Sequence, residues 1–221
     1  LLSEEVLNEA VRRILRAKAE LGLFDNPYVQ PDAATAVFDS SENRSLAREI
    51  ARESIVLLKN EGGLLPLKKD IGSVAVIGPN ADSKIHLLGD YAYSAHLSHD
   101  KAAISIVSVL EGIRAKVSEK TIVRYAKGCE IFGGTKEGFS DALEASWNSD
   151  LTIMVVGGKS GLSKSDTSGE FRDRAELLLP GFQQELVEAV FNTGKPVVVV
   201  IIDGRPLSIN WIADNVNAIV E

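Results

Sequence analysis

From residue 73 onward, the chain alternates between short apolar runs and longer stretches with helical periodicity. Runs such as VAVI and VVVVII are apolar throughout, which indicates strands that are buried on both faces of a sheet. Between them, apolar residues recur every three or four positions, as on one face of a helix. The alternation predicts an α/β sandwich, a mostly parallel, doubly wound sheet with helices on both faces. The predicted strands cover residues 74–77, 122–125, 151–156, 197–202 and 218–220, and the predicted helices cover 106–117, 139–147, 181–191 and 208–213.

Two further helices are predicted ahead of this sheet. Ser3 can cap the first, whose apolar positions share one face until Gly22 ends it. Residues 42–58 have the same period, and KNEGGLLPL breaks it at residues 59–67. The segment between the two helices contains prolines and several Asp, Asn and Ser residues, so it is predicted to be a linker.

The composition excludes several classes of function. The formal net charge is −7 and the Lys and Arg residues are scattered, which argues against a nucleic-acid partner. The apolar run Val197–Ile202 is far shorter than the roughly 20 residues that span a bilayer, so no membrane partner is expected. The single cysteine, Cys129, excludes an internal disulfide and leaves the compartment open. A neutral or small substrate suits this composition.

The loops that follow the strands are the expected place for a ligand site. In parallel sheets, ligands bind beyond the carboxyl ends of the strands, where the connecting loops converge. Three such loops are candidates, at residues 78–100, 157–179 and 203–206. The second runs for about twenty residues without a convincing period, and loops of that length in compact domains are usually functional or disordered.

This second loop contains the ionisable stretch GEFRDR, residues 169–174. Glu170 stands between a flexible glycine and an aromatic residue, and an apolar neighbour favours the protonated carboxyl that a general acid requires. A proton donor is therefore one interpretation of Glu170. The other is a solvated loop residue, next to a salt-bridged brace formed by Arg172, Asp173 and Arg174.

Other motifs in the chain give weaker signals. Residues 155–161, VVGGKSG, end like a phosphate-binding loop, but Ile153 stands where its first glycine is required. The glycines also lack the spacing of a dinucleotide-binding turn, and the nucleophile elbow G-x-S-x-G is absent, so no cofactor is expected. His96, His99 and Asp100 offer three potential metal ligands on one loop. A solvated polar loop suits them better, because nothing in the sequence closes a ligand geometry.

Several segments, in order along the chain, carry a resemblance to a known family. They are LLKNEGGLLPL (57–67), VIGPNAD (76–82), LLGDY (87–91), SGEFRDRAELLLPGFQQELVEAV (168–190), TGKPVVVVIIDGRPLSINWIA (193–213) and the final NAIVE. Together they resemble glycoside hydrolase family 3, the family of β-glucosidases and β-xylosidases. RRILRAKAELGLFDNPYV (12–29) resembles the segment that closes the first domain of that family. The resemblance is specific for the family but not for one sugar.

The resemblance implies a division of the chain into three parts. Residues 1–24 would be the terminal helix of a TIM-type barrel domain, and residues 25–41 an inter-domain linker. Residues 42–221 would be the α/β sandwich domain, ending before the next motif of the family. In this family the barrel supplies an Asp nucleophile and a loop of the sandwich supplies the acid/base Glu. The chain would therefore need a barrel domain as its partner and would be inactive alone.

The acid/base role falls on Glu170, which matches the Gly-Glu-x-x-Asp-Arg pattern of the family. Because loop lengths vary there, Asp173 and Asp166 are alternatives. Arg172 is expected either to brace the loop or to touch substrate. The implied activity is retaining hydrolysis of terminal β-linked sugars, foremost β-glucosides or oligosaccharides, without cofactor or metal. The alternative is a non-catalytic α/β module that binds sugar or braces a barrel.

Overall fold

The computed structural model describes residues 2–96 and 104–221. They form two compact units, one that ends at Glu53 and one that covers Ser54–Glu221. This boundary lies further along the chain than the predicted start of the sandwich at residue 42. The assignment of the preceding residues to a barrel helix and a linker stays a prediction.

The first unit is helical. Helix α1 (Glu4–Glu20) begins as predicted, with the Ser3 hydroxyl accepting the N–H of Val6 at 3.4 Å. The predicted linker contains a 3₁₀ turn and a short helix α2 (Ala34–Val37). Helix α3 (Ser41–Ser54) follows. None of the helices within residues 2–96 and 104–221 has both the length and the apolar character of a membrane span.

The second unit is built on a six-stranded sheet with the order β1-β6-β5-β4-β2-β3. Every pairing is parallel except that of β1 with β6. The predicted strands are confirmed to within one residue at each end. The strands are β1 (Leu57–Asn60), β2 (Ser73–Ile77), β3 (Ile122–Ala126), β4 (Leu151–Gly157), β5 (Val197–Ile202) and β6 (Ala218–Val220).

Strand β1 was not predicted, and the helix predicted over residues 42–58 is wrong at its C-terminal end. The helix ends at Ser54, and Leu57 pairs with Val220 at the sheet edge. Backbone hydrogen bonds between Val56 and Glu221, of 2.7 and 2.9 Å, extend this pairing. An antiparallel edge strand on an otherwise parallel sheet is common in α/β folds.

Helices and a loop cover the two faces of the sheet, which confirms the doubly wound sandwich. The helices of this unit are α4 (Tyr93–His96), α5 (Val109–Arg114), α6 (Phe139–Trp147), α7 (Gln183–Phe191) and α8 (Asn210–Asn215). One face of the sheet packs against side chains of α6, α7 and α8, such as Ala142, Leu186 and Ile212. The other face packs against Leu110 of α5 and against the segment 64–71.

Strand β2 is the point at which the strand order reverses. It pairs with β3 on one side and with β4 on the other. The helix α5, which precedes β3, lies on one face of the sheet, and α7, which follows β4, lies on the opposite face. The chains that leave β2 and β4 therefore diverge at their carboxyl ends. Open α/β sheets bind ligands in the crevice that such a switch point creates.

Candidate active site

The loop after β4 begins with a closed turn, residues 159–168, which we call the braced turn. Thr167 closes it twice, because its Oγ1 accepts the N–H of Lys159 at 2.9 Å and its N–H donates to the Lys159 carbonyl at 2.8 Å. The hydroxyls of Ser160 and Ser168 lie 3.0 Å apart. The residues that follow therefore start from a fixed position.

Asp166 lies inside the braced turn. Its carboxylate is 2% exposed, and Oδ1 lies 2.8 Å from the Nζ of Lys159. Its Oδ2 accepts the N–H of Ser163 at 2.6 Å. The charge of Asp166 is thus paired within the turn and turned away from solvent. The position of Asp166 therefore favours a structural role, rather than the role of proton donor for which it was an alternative to Glu170.

Glu170 follows the braced turn directly and is exposed. Its backbone N–H donates to Oδ2 of Asp90 at 2.8 Å. Asp90 belongs to the loop after β2, so this hydrogen bond joins the two loops that meet at the switch point. Within the described part of the chain, the Glu170 carboxylate has no salt-bridge partner. Its backbone is fixed while its side chain is available to a ligand.

The residues on either side of Glu170 have unusual backbone conformations. Gly169 has a φ of +124°, and a Cβ there would lie 2.5 Å from the carbonyl oxygen of Gly161. Phe171 has a φ of +60°, which is an outlier for a bulky residue, and the residue is 83% exposed. Residues held in sparsely populated backbone regions cluster at functional sites.

Arg172 ties the outgoing chain back to the braced turn. Its Nε and Nη2 donate to the carbonyl of Leu162 at 3.1 and 2.7 Å. The brace expected from three neighbouring charges is therefore made by one arginine and a backbone carbonyl. Among the described residues, neither Asp173 nor Arg174 forms a salt bridge. A contact between Arg172 and substrate stays a prediction.

A cleft of about 210 Å³ lies beside this segment. Two of its lining residues, Phe132 and Phe171, are mostly exposed. The other six lining residues are polar or charged, so the cleft combines aromatic surface with many hydrogen-bonding groups. The lining residues are Phe132, Lys164, Asp166, Thr167, Phe171, Arg172, Asp173 and Arg174.

Two buried amide side chains, neither of which was predicted from the sequence, link the carboxyl ends of the strands at the switch point. The Nδ2 of Asn80, just beyond β2, donates to the carbonyl of Gly158 at 3.2 Å and to that of Ile202 at 3.4 Å. Gln183, the first residue of α7, hydrogen-bonds both backbone groups of Gly157 at 2.8 Å. The carboxyl ends of β2, β4 and β5 are thus linked through side chains.

His86 completes the linkage around Asn80. Because the Asn80 amide nitrogen faces two carbonyls, its Oδ1 faces the imidazole and accepts a hydrogen bond from Nδ1 of His86 at 2.7 Å. Burial, together with the positive charges of Lys159 and Lys127, lowers the pKa of His86 to about 4. The imidazole is therefore neutral near pH 7, with its proton on Nδ1.

Asp203 lies in the third predicted loop, which follows β5, and its carboxylate lies beside Gly158 of the loop after β4. Its carboxylate accepts the N–H of Gly204 at 2.7 Å, and burial raises its pKa above the usual value. A Cβ on Gly158 would lie 2.8 Å from Oδ1 of Asp203. The loops after β2, β4 and β5 therefore converge, as the sheet topology predicts.

The histidine-containing loop after β2 is described only in part. The Nδ1 of His96 lies 3.7 Å from Oδ1 of Asp90, and its ring stacks on Tyr91 with centroids 5.2 Å apart. His99 and Asp100, the other two potential metal ligands, lie outside the described residues.

The fold and the site define an α/β domain that presents a carboxyl-bearing loop at its topological switch point. The sequence of residues 55–221 matches the model of the glycosyl hydrolase family 3 C-terminal domain. The chain belongs to glycoside hydrolase family 3.

Relatives extend the match beyond this domain. A β-xylosidase of Formosa agariphila is 46% identical over 216 residues, which are 97% of this chain and 29% of that protein. A periplasmic β-glucosidase of Salmonella typhimurium is 32% identical over 240 residues, with 97% and 30% covered. The crystal structure of a mutant β-glucosidase from Listeria innocua in complex with laminaribiose superposes with a TM-score of 0.81 at 31% identity, over all of this chain and 28% of that one. The chain thus spans less than a third of these relatives.

Proposed function

We propose that this chain is part of a retaining, exo-acting β-glycosidase that removes terminal β-linked sugars. In this proposal Glu170 is the general acid/base, and the nucleophile is an Asp on a separate barrel domain. The relatives are much longer than this chain, so their length can accommodate such a domain. The position of Glu170 carries the proposal. Its carboxylate is exposed at the switch point and lacks an ion pair among the described residues, while its backbone is hydrogen-bonded to a second loop.

The proposed reaction has two steps. The Asp attacks the anomeric carbon and Glu170 gives its proton to the leaving oxygen, so the glycosidic bond breaks and a glycosyl-enzyme forms. The Glu170 carboxylate then takes a proton from water, which attacks the same carbon and releases the sugar. Retaining pairs of carboxyls lie about 5–5.5 Å apart, so the acid must be free to approach the nucleophile. Glu170 meets this requirement better than the paired Asp166.

The sugar is proposed to be xylose. The sequence favoured β-glucosides, but the relative with 46% identity is named a β-xylosidase, whereas the β-glucosidase relative is 32% identical. The cleft beside Phe171 is proposed to receive the leaving-group sugar, because it adjoins the proposed acid and offers exposed aromatic surface. Comparison of kcat/KM for β-xylosides and β-glucosides tests the assignment of the sugar.

Glu170→Gln in the full-length enzyme tests the acid/base role. For xylobiose, kcat/KM is expected to fall by about 10²- to 10⁴-fold, the usual contribution of general acid catalysis. For 2,4-dinitrophenyl β-xyloside it should change far less, since this leaving group departs without protonation. Steady-state kinetics with both substrates measure the difference.

Two neighbouring carboxylates serve as controls. Glu176→Gln removes another exposed acid of the same loop and should leave both rates at the wild-type level. If Asp173→Asn shows the selective loss and Glu170→Gln does not, the acid is Asp173. If neither these two variants nor Asp166→Asn shows it, the domain is the non-catalytic binding or bracing module.

A further inference from the structure

We propose that Asp90 is the positioning residue for Glu170. This inference rests on the proposed acid/base role and extends it to the loop after β2. Oδ2 of Asp90 accepts the N–H of Glu170 at 2.8 Å across 80 residues of sequence. A carboxylate acceptor makes such a hydrogen bond roughly twice as strong as a neutral acceptor does.

Gly169 and His96 lie on either side of the Asp90 carboxylate. On the side of Glu170, the glycine at 169 lets the carboxylate approach, since a Cβ there would lie 3.1 Å from the Cγ of Asp90. On the other side, Oδ1 of Asp90 faces His96 at 3.7 Å, and Tyr91 stacks on that imidazole. The Asp90 carboxylate is only 11% exposed. Asp90 thus lies in its own loop and hydrogen-bonds the backbone of the neighbouring one.

The segment that carries Glu170 needs such an anchor. Phe171 has a positive φ, which is unfavourable for a residue with a side chain. Arg172 secures the segment on its outgoing side, through the Leu162 carbonyl. Asp90 secures it at Glu170 itself. Without this anchor the acid would shift, and a misplacement of about 1 Å can cost 10²-fold in rate.

Asp90→Leu and Asp90→Asn in the full-length enzyme test the inference. The quantity to measure is the ratio of kcat/KM for xylobiose to kcat/KM for 2,4-dinitrophenyl β-xyloside. This ratio does not depend on the fraction of enzyme that is folded, because both values come from one preparation. We expect it to fall by about 10- to 100-fold in Asp90→Leu. Asp90→Asn should recover most of the loss, because the amide oxygen still accepts the N–H of Glu170.

A matched control is Asp82→Leu. Asp82 belongs to the same loop and accepts a hydrogen bond from the Ser108 hydroxyl at 2.9 Å, and among the described residues it forms no hydrogen bond or salt bridge with Glu170. Its loss should leave the ratio at the wild-type value even if the enzyme is less stable. The double variant Asp90→Leu/Glu170→Gln should have the same ratio as Glu170→Gln alone, since Asp90 acts through Glu170.

The outcomes separate the two proposals. If Glu170→Gln lowers the ratio and Asp90→Leu does not, the positioning role is wrong and the acid/base role stands. A ratio equally low in Asp90→Asn and Asp90→Leu also overturns the positioning role, because the backbone hydrogen bond would then not matter. If Glu170→Gln leaves the ratio unchanged, the acid/base role itself fails.

Discussion

Gln183 hydrogen-bonds both the N–H and the carbonyl of Gly157, each at 2.8 Å. Its Nε2 also donates to the carbonyl of Ile131 at 3.0 Å. The side chain at the start of α7 thus fixes the last residue of β4, from which the loop with the proposed acid departs. The loop between these two residues therefore begins and ends at the same hydrogen-bonded point, although Gly157 and Gln183 are 26 positions apart in sequence.

Replacing Gln183 by Leu is expected to destabilise the chain by about 2–4 kcal/mol, because buried backbone groups lose their partners without access to water. Denaturant unfolding measures the change. Gln184→Leu is the matched control, since Gln184 hydrogen-bonds the side chain of Glu188 on the partly exposed side of the same helix, at 2.9 Å. Its effect should stay below about 0.5 kcal/mol. Equal losses in the two variants would contradict the anchoring role of Gln183.

The strands of the fold could be predicted because their apolar runs reflect burial on both faces, as in β2 and β4. Strand β1 could not be predicted in this way. It is a short edge strand whose Leu57 and Leu58 are exposed, so no burial pattern marks it. It exists because it pairs with β6 at the other end of the chain. A periodicity confined to neighbouring residues cannot detect that pairing.

The candidate site, like the fold, could be predicted from the sequence only in part. The loop and Glu170 could be selected from sequence, because loop length, charge and family pattern coincide there. Asp90 and Asn80 could not, since both act on backbone groups, which have no signature in the sequence. The charges after Glu170 favoured a salt-bridged brace, but the turn brings Arg172 onto the Leu162 carbonyl instead.

His86 should make the stability of the chain depend on pH. Its folded-state pKa of about 4 lies below the pKa of 6.5 that is usual for histidine, so the unfolded chain binds more protons between these values. Stability should therefore rise from about pH 4 to pH 6.5 and be fully present above it. His86→Gln, whose amide can still donate to Oδ1 of Asn80, should weaken this rise. Urea unfolding at pH 4.5 and pH 7 measures it, and an unchanged pH dependence in the variant would contradict the assignment.

Gly169→Ala should impair catalysis as well as stability. Both Gly169 and Gly194 have positive φ values, but a Cβ meets the Gly161 carbonyl at the first position and nothing within 4 Å at the second. Gly194→Ala should cost about 1–2 kcal/mol of stability and leave kcat/KM unchanged. Gly169→Ala should in addition lower kcat/KM for xylobiose by about 10-fold or more, because the clash displaces Glu170 from Asp90. Kinetic and unfolding measurements on both variants decide the point, and wild-type kinetics in Gly169→Ala would count against it.

Phe171→Asn should separate stability from substrate binding. Asn adopts positive φ values far more readily than Phe, and Phe171 is 83% exposed, so little buried surface is lost. The variant should be as stable as the wild type or more stable by about 1 kcal/mol. The proposed contact of the ring with the leaving-group sugar predicts that KM for xylobiose rises several-fold, whereas KM for a small aryl xyloside changes less.

Phe132→Leu, on the same cleft, tests whether the stability effect belongs to the backbone of residue 171, because position 132 has no positive φ and should show no gain. A less stable Phe171→Asn with wild-type KM values would show that the ring serves packing, and that the strained backbone at 171 has no part in substrate binding.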